Sequence, residues 1–183
     1  MTESNVRKDF VMPIAVLTII CLVMAVLLAL TNNVTAPIIE EAEKAAAAEA
    51  RAEVMPQADG FEPVDVAAED LPGSVIDVYK ATNGAGYVVQ LAGDGYGGKK
   101  TLKVIVGVDA DGFITDTKVM SHSETPGLGS RVAEADFNDQ FNGLDESGLS
   151  GIVTISGATI SSNHYIDTVK DALAAVETAK GAE

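Results

Sequence analysis

Hydrophobic positions change their spacing several times along the chain. From Phe10 to Leu30 they dominate a run of 21 residues that holds no charged side chain. A helix rises about 1.5 Å per residue, so this run reaches roughly 30 Å, the hydrocarbon thickness of a bilayer. It predicts one transmembrane helix over 10–30, with Pro13 in the first turn, where a missing backbone donor costs little. From Pro37 to about Met55 the apolar positions thin to Ile38, Ile39, Ala42, Ala46 and Ala50, the narrow face of an acidic, alanine-rich helix. Extended runs follow. Ser74–Thr82 and Gly86–Leu91 flank Asn83-Gly84, while Thr101–Asp109 and Phe113–Met120 flank Asp111-Gly112, and both dipeptides suit tight hairpin turns. The period then lengthens. Val132–Phe141 reads as a short helix, Ile152–Ile155 as a brief apolar run, and from Ser162 to about Lys180 the residues Ile166, Val169, Leu173 and Val176 recur at helical spacing. Hairpins followed by helices predict an α+β body of antiparallel hairpins covered by helices, not a doubly wound sheet. The chain thus divides into an N-terminal segment 1–9, a membrane helix 10–30, an acidic helical spacer 31–70 and a folded body 71–183.

Charge gives this layout a direction. Of 27 acidic and 12 basic residues, 25 acids and 10 bases lie beyond Thr31, so the spacer and body together carry the whole net charge of −15. Such a surface excludes nucleic acid as a partner, since phosphate binding needs a basic patch. Arg7 and Lys8 precede the apolar run, whereas Glu40, Glu41 and Glu43 follow it. The positive-inside rule therefore puts the N-terminus in the cytoplasm and the body outside. A cleaved signal peptide is the competing reading. Its apolar core is usually about 7 to 15 residues, and here the best cleavage-like triplet, Val34-Thr35-Ala36, is followed by Pro37. The single cysteine, Cys21, lies within the apolar run behind Ile20, a poor fit to a lipoprotein signal. The body has no cysteine and must be stable through its core alone.

Several chemical motifs match by letter only. Gly93-Asp-Gly95-Tyr-Gly-Gly98 fits G-x-G-x-x-G, but a strand-like run follows it where a dinucleotide fold needs a helix. The overlapping stretch to Lys100 lacks the Ser or Thr of a P-loop. No G-x-S-x-G or H-E-x-x-H pattern occurs, and His122 and His164 are the only histidines. Neither a metal site nor a catalytic acid or base is indicated.

Ser156-Gly-Ala-Thr159-Ile-Ser161-Ser162 joins an apolar run to the start of the terminal helix. Two readings of its composition stand side by side. It can be an N-cap and turn. Alternatively, Gly157 and Ala158 admit another molecule to the backbone, hydroxyls are at hand, and unpaired helix N–H groups favour an anion such as phosphate.

The segment resembles the flavinylation site of the FMN-binding domains found in two related groups, the RnfG proteins of ion-translocating Rnf electron transport complexes and the NqrC proteins of sodium-pumping NADH:quinone oxidoreductases. In those families FMN is joined through its phosphate to the threonine ending a Ser/Thr-Gly-Ala-Thr motif, which is Thr159 here. Ser121-His-Ser-Glu124-Thr125-Pro126-Gly127-Leu128-Gly129 is similar to the families' E-T-P-G-L-G loop. Gly95-Tyr-Gly-Gly98 and Phe137-Asn-Asp-Gln-Phe141 also resemble family segments. Val153 stands where the families commonly carry an aspartate. The short stretch between membrane helix and first hairpin looks more like the Rnf protein.

The resemblance implies a covalent FMN held at Thr159, Ser156, Gly157 and Ala158, with its ring against Glu124, Thr125, Gly127, Leu128 and Gly129. A covalent tether makes physical sense outside the membrane, where a dissociated flavin is diluted away. Lys99, Lys100, Lys103 and Lys118 read either as a cationic cluster favouring the reduced cofactor or as a solvated strand face. The resemblance further implies an electron-transfer subunit working between ferredoxin and NAD+, coupled to Na+ or H+ movement. Its partners would be the complex's membrane and iron-sulfur subunits, with a flavin transferase for maturation. A quinone-reductase subunit, and a membrane-anchored extracellular binding module without flavin, are the alternatives.

Overall fold

The computed structural model describes residues 10–182. The expected cytoplasmic segment 1–9, with Arg7 and Lys8, lies outside the described residues. The chain divides into two compact units between Ala46 and Ala47.

The first unit is helical. It holds most of α1, Met12–Val54, which runs through Thr31-Asn32-Asn33 and Pro37 without a break. Pro37 has no N–H to donate within the helix. The hydroxyls of Thr18, Thr31 and Thr35 donate to the carbonyls four residues earlier, so these polar side chains are satisfied within the helix. One stretch of α1 is long and apolar enough to cross a membrane, and its side chains are unburied. Farther along, Lys44 pairs with Glu40 one turn away.

The second unit is built on a five-stranded antiparallel meander. It comprises β1 (Phe61–Pro63), β2 (Val75–Ala81), β3 (Gly86–Gly95), β4 (Gly98–Asp109) and β5 (Ile114–His122), in the order β1-β2-β3-β4-β5. Both expected hairpins form. Asn83 accepts the Ala85 N–H on its side chain, and the Asp109 carboxylate accepts the N–H of Phe113 across the second turn. The two hairpins are joined by a third, in which β3 and β4 pair from Gly86↔Asp109 to Gly95↔Gly98 around Tyr96 and Gly97. The glycine-rich run is therefore a hairpin end. The strand β1 has no signature in the hydrophobic pattern, because three residues on a sheet edge are specified by their partner, β2, through Phe61↔Ala81 and Pro63↔Tyr79.

Both faces of the sheet are covered, which explains the near-continuous burial of β3 and β4. On one face Val89, Leu91, Leu102, Val104 and Val106 pack with Tyr165, Val169, Leu173 and Val176 of α3, the terminal helix Thr159–Gly181. On the other, Val88 and Ile105 pack with Ala50 and Val54 from the end of α1 and with Met55 just after it. Thr115 Oγ1 donates to the Val54 carbonyl at 2.6 Å, and the Arg51 guanidinium lies 4.1 Å from the Tyr79 ring centroid.

Between β5 and α3 the chain is less regular than the sequence predicts. The expected helix over Val132–Phe141 is a 3-10 turn at Gly129–Ala133, a single α turn, α2, at Ala135–Asn138, and another 3-10 turn at Asp139–Phe141. Glu134, extended at φ −82° and ψ 145°, divides them. Val132, Phe137 and Phe141 are all buried, and the two phenylalanines meet the Tyr165 ring at centroid distances of 5.5 and 5.2 Å. Tyr165 donates to Thr117 Oγ1 at 2.9 Å.

Candidate functional site

The terminal helix begins at Thr159, three residues ahead of the expected start at Ser162, because the turn before it sets the boundary. Ala158 N–H donates to the Ile155 carbonyl at 2.9 Å, and Gly157 adopts φ +82°, a region that glycine enters without steric cost. No side chain caps the helix at Ala158, and the Ser162 N–H bonds to the Ala158 carbonyl. The amides of the first turn therefore have no intrahelical acceptor, and the positive end of the dipole is left for an anion.

The hydroxyls of this segment separate into roles. Ser162 is fully buried, accepts the Ile155 N–H at 3.0 Å and donates to the Ala158 carbonyl, so it holds the turn together. Ser161 is buried and donates to Glu124 Oε2 at 2.6 Å. Ser156 and Thr159 are exposed. Of the hydroxyls in 156–162, only that of Thr159 belongs to a residue both exposed and on the pocket described next.

The loop after β5 is tied to itself. Leu128 and Ser130 donate their N–H groups to the Thr125 carbonyl, and Gly127 donates to Ser130 Oγ. Glu124, at 6% exposure, anchors the loop by accepting the Tyr96 N–H at 2.8 Å on Oε1 and the Ser161 hydroxyl on Oε2. This carboxylate is closely enclosed. A Cβ on Gly95 would lie 2.1 Å from Oε1, and one on Gly129 would lie 2.2 Å from Oε2.

Loop, hairpin and helix start enclose a cavity of about 450 Å3. Glu124, Thr125, Leu128 and Gly129 line it from the loop, and Gly157, Ala158 and Thr159 line it from the helix. Of the site residues expected from sequence, Gly127 forms the loop's turn without lining the cavity, and Ser156 lies on a neighbouring groove with Val153 and Arg131. Tyr96, Ile160 and Ser161 also line the cavity and were missed by sequence reasoning. Tyr96 was present only as part of the Gly95-Tyr-Gly-Gly98 resemblance, and its place depends on the β3–β4 hairpin. The side chains of Tyr96, Leu128 and Ile160 are exposed, giving the cavity an apolar rim.

The four lysines do not share this site. Lys118 pairs with Glu53, and Lys99 and Lys100 line a separate cavity with His164. Among the described residues, no lysine lines the 450 Å3 cavity. A larger cavity, of about 680 Å3, is lined by Asp111, Asp145, Glu146 and Glu177, a wall that repels a phosphate. The smaller cavity suits a flavin phosphate better. Its volume lies within the range of about 300–1,000 Å3 typical of ligand pockets, it joins an uncapped helix start to an apolar rim, and it offers an exposed threonine hydroxyl.

Comparison with known proteins bears on the same segment. Residues 95–174 match the FMN-binding domain family, a span that contains every residue lining the cavity. The chain is 33% identical to the G subunit of the ion-translocating oxidoreductase complex of Methanosarcina acetivorans, over 95% of its own length and 98% of that protein's. It is 36% identical to the G subunit of the Na(+)-translocating ferredoxin:NAD(+) oxidoreductase complex of Acetobacterium woodii, over 84% and 78% of the two chains. Among solved structures, the C subunit of the Na(+)-translocating NADH-quinone reductase of Parabacteroides distasonis aligns at 25% identity with a TM-score of 0.44, over 57% of this chain and 61% of that one.

Proposed function

The chain belongs to the G-subunit family of ion-translocating oxidoreductase complexes, and on that premise we propose that it is a membrane-anchored electron-transfer subunit with FMN attached to Thr159 through a phosphoester. The observation that carries this reading is the convergence of the Glu124–Gly129 loop and the uncapped start of α3 on one cavity, with the Thr159 hydroxyl at its edge.

When bound, FMN supplies the redox chemistry. The protein's residues do the rest. First-turn amides of α3 and the helix dipole hold the phosphate. Gly157 allows close approach to the backbone, Gly129 makes room for the Glu124 carboxylate, and Leu128, Ile160 and Tyr96 would cover apolar ring surface. Glu124 fixes the loop to both the hairpin and the helix. No proton-transfer residue is required of this subunit.

In this reading α1 crosses the membrane once with its N-terminus in the cytoplasm, and the FMN domain lies outside. Electrons pass between ferredoxin and NAD+ through the complex, coupled to Na+ or H+ movement. The partners are the membrane and iron-sulfur subunits, with a flavin transferase loading the cofactor. The test is fluorescence of the denatured protein in a gel after production with a flavin transferase. A fluorescent band is expected for the native chain and none for Thr159→Ala. A dark native band, or a label that survives the substitution, rejects the assignment.

A further inference from the structure

The buried carboxylate of Glu124 accepts two hydrogen bonds. Both of its oxygens act as acceptors, from the Ser161 hydroxyl and the Tyr96 N–H, which is the role of a charged carboxylate. Among the described residues no lysine, arginine or histidine forms an ion pair with it. It is 6% exposed, so water screens it poorly, and it forms part of the wall of the candidate flavin cavity. Gly95 and Gly129 approach its oxygens on the protein side, where a Cβ on either would clash.

We infer that Glu124 is a fixed negative charge that lowers the reduction potential of the flavin, in addition to locking the loop. This rests on the reading of the cavity as the FMN site. Reduction adds negative charge to the ring, and a neighbouring unscreened carboxylate opposes that addition by Coulomb repulsion, more strongly in a low-dielectric wall than in water. Among the described residues no lysine lines the same wall, which leaves the positive end of the α3 dipole as a partial offset that loss of the carboxylate does not change. Glu124 is thus a tuning and positioning residue whose effect is separable from its hydrogen bonds.

Redox titration of the flavin-loaded full chain tests this, with in-gel fluorescence confirming the load. Glu124→Gln keeps an oxygen for the Tyr96 N–H and an amide that can donate to Ser161, while removing the charge. The expected result, read on the labelled fraction, is a one-electron equilibrium shifted about tenfold toward the reduced form, or about 59 mV upward. Ser161→Ala removes a hydrogen bond and keeps the charge, so its potential is expected at or below the native value. An unchanged or lower potential in labelled Glu124→Gln overturns the inference. So does an equal rise in both variants, which marks a merely structural role. If Glu124→Gln does not fold, Ser161→Ala decides alone, and a rise in its potential is the overturning result. A native chain without flavin rejects the site reading itself and this inference with it.

Discussion

Gln140 holds Val153 by both of its backbone groups: the Val153 N–H donates to Gln140 Oε1 at 2.9 Å, and Gln140 Nε2 donates to the Val153 carbonyl at 3.4 Å. A side-chain amide here does what a neighbouring strand does elsewhere. It keeps Ile152–Ile155 extended ahead of the Thr159 turn although no strand pairs with it. With the Val153 side chain 72% exposed, Val153 is held by the amide bonds, while Ile155 is held by burial in the core.

Gln140→Ala is expected to release the segment. Each net hydrogen bond is worth about 0.5–1.5 kcal/mol, so the loss is about 1 kcal/mol of local stability, given the long second bond. Hydrogen exchange at the Val153 amide should become roughly fivefold to tenfold faster, while core amides of β3 and β4 keep their protection.

Ser162→Ala should cost more. The hydroxyl is fully buried and is the acceptor for the Ile155 N–H, which would be left unsatisfied in the core. About 1–3 kcal/mol is expected, read as a lower unfolding temperature of the detergent-solubilised chain. Replacement by threonine, which retains the hydroxyl, should cost less.

Two glycines of the cavity should fail for different reasons when changed to alanine. At Gly129 the new Cβ would lie 2.2 Å from Glu124 Oε2 and 2.7 Å from Ser161 Oγ, so the loop must move from the helix. The expected cost is about 1–3 kcal/mol, together with a weaker flavin label. At Gly157 there is room, with Leu128 Cδ2 at 3.6 Å, but φ is +82°. There the cost is backbone strain of about 1 kcal/mol, and the label should persist.

Asp116 makes stability depend on pH in a predictable direction. Burial, first of all, raises its carboxyl above the ordinary value, with Asp139 and Glu53 adding to the shift and the Thr117 N–H and Lys118 opposing it. The unfolded chain therefore loses this proton at a lower pH than the folded one. The contribution of Asp116 is fully present below its unfolded value, near about 3.9, and is lost as pH rises through the higher folded value. Asp116→Asn keeps an acceptor for Thr117. Its unfolding temperature should exceed the native one at pH 7, and the difference should vanish toward pH 3.

The parts of the fold that rest on local chemistry were legible. Asn83-Gly84 and Asp111-Gly112 mark their hairpins because turn conformation is decided by the residues in the turn. The spacing of Ile166, Val169, Leu173 and Val176 marks α3 because one face of it is buried. Parts that rest on distant partners were not legible. The β1 strand exists through β2. The Val132–Phe141 region buries three apolar side chains in helix-like spacing, yet Glu134 turns extended between them. In the site, Thr159 and the Glu124–Gly129 loop were found through resemblance. Tyr96 and Ser161 were missed because what places them is a carboxylate 28 and 37 residues away.

The nearest-neighbour order of the sheet sets the cavity apart from the rest of the domain. Each strand finds its partner in the adjoining segment, so the meander can assemble from short loop closures in sequence order. The cavity cannot, since its second wall is α3, which follows every strand in the chain. A nascent or truncated chain that stops short of Thr159 has every strand and lacks the hydroxyl proposed to carry the flavin. A flavin on that threonine would therefore report that translation has passed the end of the sheet and that α3 has docked.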